Sequence, residues 1–210
     1  MAVNKLFGFM RRRWLSLLAI LMVFIGVGML VAPSAYFWYL REQGAHDNAA
    51  YAATTDGNIT RTKLDLGTPV AMDVPRLGIK LGIVEGHYNP ADHAWRLDRT
   101  HAFYVLPGTA PLTQTAPPLI YGHDIPAVFK KFNGIGPSEV LFVRNDRGET
   151  LMFRYVNEDI VKPEQGVRLN TISDGKTLNL LTCTGRWFTE RRIMHFRFVG
   201  EIKDPTKLEL

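Results

Sequence analysis

Residues 14–31 read WLSLLAILMVFIGVGMLV, with no charged side chain and Ser16 as the only polar one. As a helix the run rises roughly 27 Å, close to the ~30 Å hydrocarbon thickness of a bilayer. A segment this long and apolar has to leave water, and the rest of the chain must fold beside it. Arg11, Arg12 and Arg13 precede the run. Cationic flanks stay cytoplasmic, so the bulk of the chain is expected outside the membrane. Tyr36, Phe37, Trp38 and Tyr39 follow, and such rings favour the water–lipid boundary. The segment reads as an uncleaved anchor at residues 14–40 behind a cytoplasmic tail at 1–13. A cleaved signal peptide is the rival reading, with Ala32-Pro33-Ser34-Ala35 imitating its processing site. Both readings export the remainder.

A chain of 210 residues has room for one domain besides the anchor. Residues 41–62 carry Gly, Ala, Asn and Thr and suit an extracytoplasmic linker. The domain is expected at 63–205, with a short tail at 206–210. The formal net charge of +5 includes Lys5 and the three arginines ahead of the anchor. No zinc-finger spacing, aromatic–basic motif or long basic run accompanies it, so nucleic acid is not an expected partner.

Short alternating runs dominate from residue 70 onward. Strands are expected at 70–74, 77–84, 102–106, 119–121, 140–143, 151–161, 178–182 and 192–201, separated by Pro, Gly, Asn and Asp. Many strands with few helices imply an all-β barrel or sandwich. One helix is expected after residue 123. Asp124 serves as its N-cap, Pro126 sits in its first turn, Ile125, Val128, Phe129 and Phe132 form its apolar stripe, and Gly134 ends it.

The chain contains a single cysteine, Cys183. Exported proteins ordinarily pair their cysteines, so a lone thiol is either a small buried hydrophobe or a reactive group. Cys183 ends the apolar run Leu178-Asn179-Leu180-Leu181-Thr182, and the next strand begins at Arg191 or Arg192. If the two strands are an antiparallel pair, an arginine falls close to the thiol. A permanent cation there favours thiolate and can donate to an oxyanion. Alternation groups Arg192 with Met194, Phe196 and Phe198, and Arg191 with His195 and Arg197. The second face is taken as the wet one, which makes Arg192 the expected active-site arginine. A thiol nucleophile also needs a proton carrier. Of His46, His87, His93, His101, His123 and His195, His123 follows a strand and a glycine and opens the expected helix. Rigid flanks of that kind hold functional loops. His87, His93 and His101 show no metal-ligand spacing.

These residues resemble the sortase family. Residues 178–183, LNLLTC, are similar to its apolar-Thr-Cys motif. Arg192-Ile193 resembles the arginine that opens its final strand, Ile120-Tyr121-Gly122-His123 its strand-Gly-His element, and residues 72–79 its Ile-Pro-x-Ile opening. The resemblance implies a closed eight-stranded β-barrel with one or two short helices. It also implies a cysteine transpeptidase that cleaves an Leu-Pro-x-Thr-Gly-like sorting signal through a thioester. The acyl group passes to an amine of a peptidoglycan precursor or a pilin. By resemblance Cys183 is nucleophile, His123 general acid/base, and Arg192 substrate holder or oxyanion stabiliser, with Thr182 and Tyr121 bordering the substrate. No cofactor and no metal are expected.

The chain stops at Leu210 without a second apolar span, unlike the pilin-polymerising class C, and the connection at 162–176 is short. Tyr121 stands where many members have a small residue, which leaves an Leu-Ala-x-Thr-Gly signal open beside the Leu-Pro form. The internal Leu106-Pro107-Gly108-Thr109-Ala110 is read as a turn, not a signal. An L,D-transpeptidase, which wants a Ser-x-Gly-Cys context, and an anchored β-domain that binds wall polymer or a partner protein are the alternatives.

Overall fold

A computed structural model of the chain describes residues 2–55, 59–60, 64–89, 91, 94–105, 117–163 and 176–203. The internal sequence at 106–110, His93, and most of the 162–176 connection lie outside the described residues.

Helix α1 spans Ala2–Thr55 with Pro33 inside it. Its segment Leu17–Gln43 is long and apolar enough to cross a bilayer, and none of its most apolar window is buried. The helix runs on past the expected end of the anchor. Residues 41–55 hold Ala45, Ala49, Ala50, Ala52 and Ala53 against a single glycine, Gly44, and alanine has the highest helix propensity. The first part of the expected linker is therefore helical.

Eight strands form the barrel: β1 (Pro69–Val74), β2 (Ile79–Glu85), β3 (Ala102–Val105), β4 (Leu119–Gly122), β5 (Val140–Asn145), β6 (Thr150–Val161), β7 (Thr177–Thr184) and β8 (Glu190–Ile202). Around the barrel the order is β1-β2-β3-β4-β7-β8-β6-β5, and β5 pairs β1 to close it. The β2–β3 and β4–β7 pairs are parallel. Register shifts after His195 and near Val199 bend the long β8 along β6, the usual effect of a bulge. Ile59–Thr60 adds a short strand beside Glu201 and Ile202, and Tyr88–Asn89 pairs with Ala94–Trp95 separately. All eight expected strands form, with one trimmed. Leu77 belongs to a 3-10 turn, Pro75–Leu77, closed by Gly78 in a left-handed conformation (φ 56°).

Alternate residues fill the interior, among them Val74, Leu81, Tyr104, Ile120, Leu141, Phe153, Leu180, Met194 and Phe196. A second apolar cluster covers the outer face of β3, β4, β7 and β8: Phe103, Val105, Leu119, Tyr121 and Ile193, with Leu181 against it. Both faces of these strands are thus apolar.

The expected helix after His123 is not one. Bends at Asp124 and Ile125 and turns at 126–129 lead into a 3-10 segment, Lys130–Gly134. Val128 N–H donates to Ile125 O (2.9 Å) and Lys130 N–H to the same carbonyl (3.1 Å), so the i to i+4 ladder never starts. Val128, Phe129 and Phe132 still bury as expected. Asp124 pairs with Lys130 at 3.4 Å.

One buried ion pair ties the turn before β2 to the edge of β5. Arg76 Nε donates to Glu139 Oε2 (2.7 Å), its Nη2 contacts the same oxygen, and Nη2 also donates to Gly134 O (2.8 Å). Glu139 is 1% exposed. Burial pushes its carboxyl above the ordinary range, and the guanidinium opposes that. A carboxyl raised in the folded state supports the fold most at low pH and loses that support as pH rises through its folded value. Arg76→Ala should therefore lower unfolding stability by about 3–5 kcal/mol near neutral pH, the cost of an unpaired buried charge. The loss should shrink toward pH 4, as read by chemical denaturation at both pH values.

Candidate active site

Strand register places the chemistry before any side chain is considered. In the antiparallel β7–β8 pair Thr182 lies opposite Arg192, and Cys183 opposite Arg191. In the parallel β4–β7 pair Leu181 lies beside Tyr121 and Thr182 beside Gly122; His123 follows Gly122, where that pairing ends. Residues directly opposite one another project from the same face, so Cys183 and Arg191 share one face of the β7–β8 pair. Cys183 is half-buried.

The row one residue back points inward and is structural. Thr182 is buried, and its hydroxyl donates to Gly122 O at 2.8 Å. This stitches the end of β7 to the end of β4, one residue before Cys183 and one before His123. Gly122 is needed there, because a Cβ would stand 2.9 Å from Val128 Cγ1. Thr182, expected at the substrate pocket, thus holds the pocket's floor from beneath.

Arg192 shares that inner face. It is 4% exposed. Its Nε and Nη2 donate to Glu158 Oε2 at 2.8 and 2.5 Å, and its Nη1 donates to Asn133 Oδ1 at 2.9 Å. Arg192, the expected active-site arginine, thus lies opposite Thr182, with its guanidinium held by Glu158 and Asn133. Its guanidinium is spent on tying the 3-10 segment to β6. Arg191 instead occupies Cys183's face, partly exposed, with Nη1 donating to Phe188 O and Glu190 O, each at 3.0 Å.

Alternation sorted the two faces correctly and misjudged which was wet. His195, on Arg191's face, is 1% exposed. It contacts Asn179 Oδ1 (2.8 Å) and Asp159 Oδ2 (3.3 Å). It points out of the barrel and is covered there, so outward did not mean solvated. Counting register back from the β7–β8 turn is the signal in the sequence that would pair Arg191, not Arg192, with Cys183.

Tyr121 builds the wall of the site. It stacks on Phe103 (centroids 5.3 Å apart) and meets Trp95 edge-on (4.9 Å). Its hydroxyl donates to Arg96 O at 2.8 Å. Burial pushes its phenol up to about 12, so it stays protonated across the working range. The bulky ring fits because Gly86 faces it: a Cβ there would lie 2.6 Å from Tyr121 Cε1.

The β7–β8 connection, which begins two residues after Cys183, exposes two aromatic rings. Trp187 is 85% and Phe188 57% exposed, and both have left-handed backbones (φ 61° and 58°). A cavity of about 600 Å³ lies elsewhere on the barrel, against Ala71, Asp73, Lys80, Gly82 and Phe142. Its lining includes none of His123, Cys183 and Arg191. No group of three or more His, Cys, Asp or Glu among the described residues could hold a metal ion.

The family model described as the sortase domain matches residues 72–198, more than half of the chain. No curated protein matches the sequence. Among solved structures, the fold is similar to sortase A from Corynebacterium diphtheriae, a lid mutant, at 19% identity over 84% of this chain and 99% of that one (TM-score 0.52). It is also similar to sortase E1 from Streptomyces coelicolor with a tripeptide in its active site, at 16% identity over 71% and 98% (0.52). Sortase C-3 from Streptococcus pneumoniae is similar at 19% identity over 84% and 94% (0.51). Identities this low speak for the barrel alone; the family model carries the assignment further. On that match, and with its lone thiol at the edge of a closed barrel of the same kind, the chain belongs to the sortase family of cysteine transpeptidases.

Proposed function

We propose that Cys183, His123 and Arg191 together carry the transpeptidation. The observation that supports this most is strand register, which pairs Cys183 with Arg191 and ends the β4–β7 pairing one residue before His123. The Cys183 thiolate attacks the carbonyl carbon of the scissile peptide bond. Electron density moves to the carbonyl oxygen, where Arg191 donates. The C–N bond breaks, and the departing amine takes a proton from His123. A thioester remains on Sγ. An incoming primary amine then attacks the same carbonyl carbon and gives its proton to His123. The C–S bond breaks and restores the thiolate.

The substrate class is a surface protein bearing an Leu-Pro-x-Thr-Gly or Leu-Ala-x-Thr-Gly signal. The acceptor is an amine of a peptidoglycan precursor or a pilin. The Phe103–Tyr121–Trp95 wall favours an apolar residue near the start of the signal.

Mixing the full-length protein in detergent with each peptide, with and without an amine, should give a Cys183 adduct by intact mass spectrometry. Added amine should discharge it as a linked product. No adduct with either peptide, on a folded protein whose thiol still alkylates, would favour the binding-module alternative. Cys183→Ala should abolish both adduct and product.

Arg191 and Arg192 separate by their failure modes. Arg191→Ala should lower turnover at least 100-fold, the typical loss for one oxyanion donor, with a melting temperature near that of the parent. Arg192→Ala leaves Glu158 short of its partner, so it should lower stability by several kcal/mol, about 3 or more. The outcome that sinks the assignment is unchanged turnover in a folded Arg191→Ala protein.

The topology proposed for α1 is single-pass, with the N-terminus cytoplasmic and the barrel outside. Protease added to intact spheroplasts should remove the barrel and leave an N-terminal tag protected. A protected barrel would reverse the orientation.

A further inference from the structure

A second histidine sits at the same end of the sheet as His123. In the antiparallel β3–β4 pair Phe103 lies opposite Tyr121, and His101 and His123 each stand two residues beyond that pair, at the same end of the two strands. The parallel β2–β3 pair sets Ile83 beside Ala102, which puts His101 next to Gly82. Contact supports that placement independently: a Cβ on Gly82 would lie 3.3 Å from His101 Cδ2. The ring occupies space that any other residue at 82 would fill.

His101 is held from behind by a carboxylate. Asp98 Oδ2 lies 2.7 Å from His101 Nδ1. Asp98 Oδ1 accepts from the backbone N–H of Thr100 (2.8 Å) and of His101 (2.7 Å). Those bonds, the Thr100 N–H foremost, keep the carboxyl far below the ordinary range. Asp98 is therefore a fixed negative charge that orients the His101 ring and leaves Nε2 as its working nitrogen.

From these observations we infer that Asp98 and His101 form a positioning pair for His123, flanking it on the side away from Cys183 and setting how readily its imidazole holds a proton. The inference rests on His123 being the acid/base of the proposed reaction. Among the described residues, the neighbouring elements bring these other charged and titratable groups. Cys183 and, one strand further, Arg191 lie on its other side. Asp124 follows it and is paired with Lys130. Lys131 donates to Gly78 O, and the Tyr121 hydroxyl is committed to Arg96 O. Asp98 thus supplies the negative charge on the β3 side of His123.

The pair makes a signed prediction. With Asp98 neutralised, imidazolium at position 123 loses a favourable charge. With His101 removed and Asp98 kept, the carboxylate acts on position 123 without its own cation. The test uses full-length protein in detergent micelles with 13Cε1-labelled histidine, and His123→Gln assigns the signal. Asp98→Asn should move the His123 titration midpoint down by about 0.3–1 pH unit, and His101→Gln should move it up by a similar amount. That size is expected for one charge roughly 8–10 Å away at an effective dielectric between about 30 and 80. The acid/base limb of the turnover profile should follow. Midpoints that stay put in both folded variants, or move the same way, overturn the pairing and leave Asp98 as a staple of the loop before β3. Because the titration needs no substrate, it stands apart from the transpeptidation. A parent protein that fails to turn over either peptide, yet shows the opposed shifts, would refute the proposed reaction and keep the pair.

Discussion

Strand β8 pairs with β7 along one edge and with β6 along the other, and the rest of the domain depends on that double pairing. Without it the β7 and β6 edges would stand open, as templates for another chain. With it the sheet closes, the interior from Val74 to Phe196 leaves water, and the register of β8 is fixed from both sides. A single-residue slip of β8 against β7 would move Met194 and Phe196 from the interior to the outer face. The energy that forbids that slip is apolar burial. Its by-product is chemical: the same register leaves Arg191 across from Cys183 and Arg192 across from Thr182.

Two layers of side chains then divide the labour at the barrel edge. The inner layer, Thr182 and Arg192 with Glu158 and Asn133, joins β4, β7, β8, β6 and the 3-10 segment by hydrogen bonds at 2.5 to 2.9 Å. Such charge-assisted bonds in a buried setting have directional stiffness. Cys183 and Arg191 sit one residue nearer the strand ends than Thr182 and Arg192, and His123 one residue beyond Gly122. On the proposed roles, groups held on such a frame need little reorganisation when charge develops on a bound carbonyl.

How legible this was depended on which physical signal each feature obeys. The strands were legible because alternation and Pro/Gly punctuation act locally. All eight formed, and only the edge at Leu77 shifted, where Pro75 and Gly78 impose a 3-10 turn. Cys183 and His123 were singled out because each follows an apolar run, and they enter the proposed reaction on that ground. The helix after Asp124 was misread: its apolar spacing describes what buries, and Val128, Phe129 and Phe132 do bury, but spacing does not say which hydrogen-bond ladder forms. Within the expected linker, residues 41–55 continue the helix, since polar composition hid a run of good helix formers. The faces of β8 were hard to rank for a tertiary reason. His195, on the face of Arg191 and Ile193, is buried, so hydrophobicity no longer marked inside from outside.

The short β7–β8 connection shows why the register cannot drift at the site itself. Five residues, Gly185 to Thr189, separate the paired ends Thr184 and Glu190. Three of them, Gly185, Trp187 and Phe188, have positive φ. For the two aromatic residues that conformation costs about 1–2 kcal/mol each. It persists because the turn is held on both sides. Glu190 closes over Gly185, where a Cβ would lie 2.5 Å from Glu190 Oε2, and Arg191 Nη1 donates to Phe188 O. The guanidinium assigned to the oxyanion therefore also braces the strained turn that carries Trp187 and Phe188. A substrate carbonyl drawing on Arg191 competes with that brace, so occupancy of the site and the conformation of its aromatic rim are coupled through one side chain.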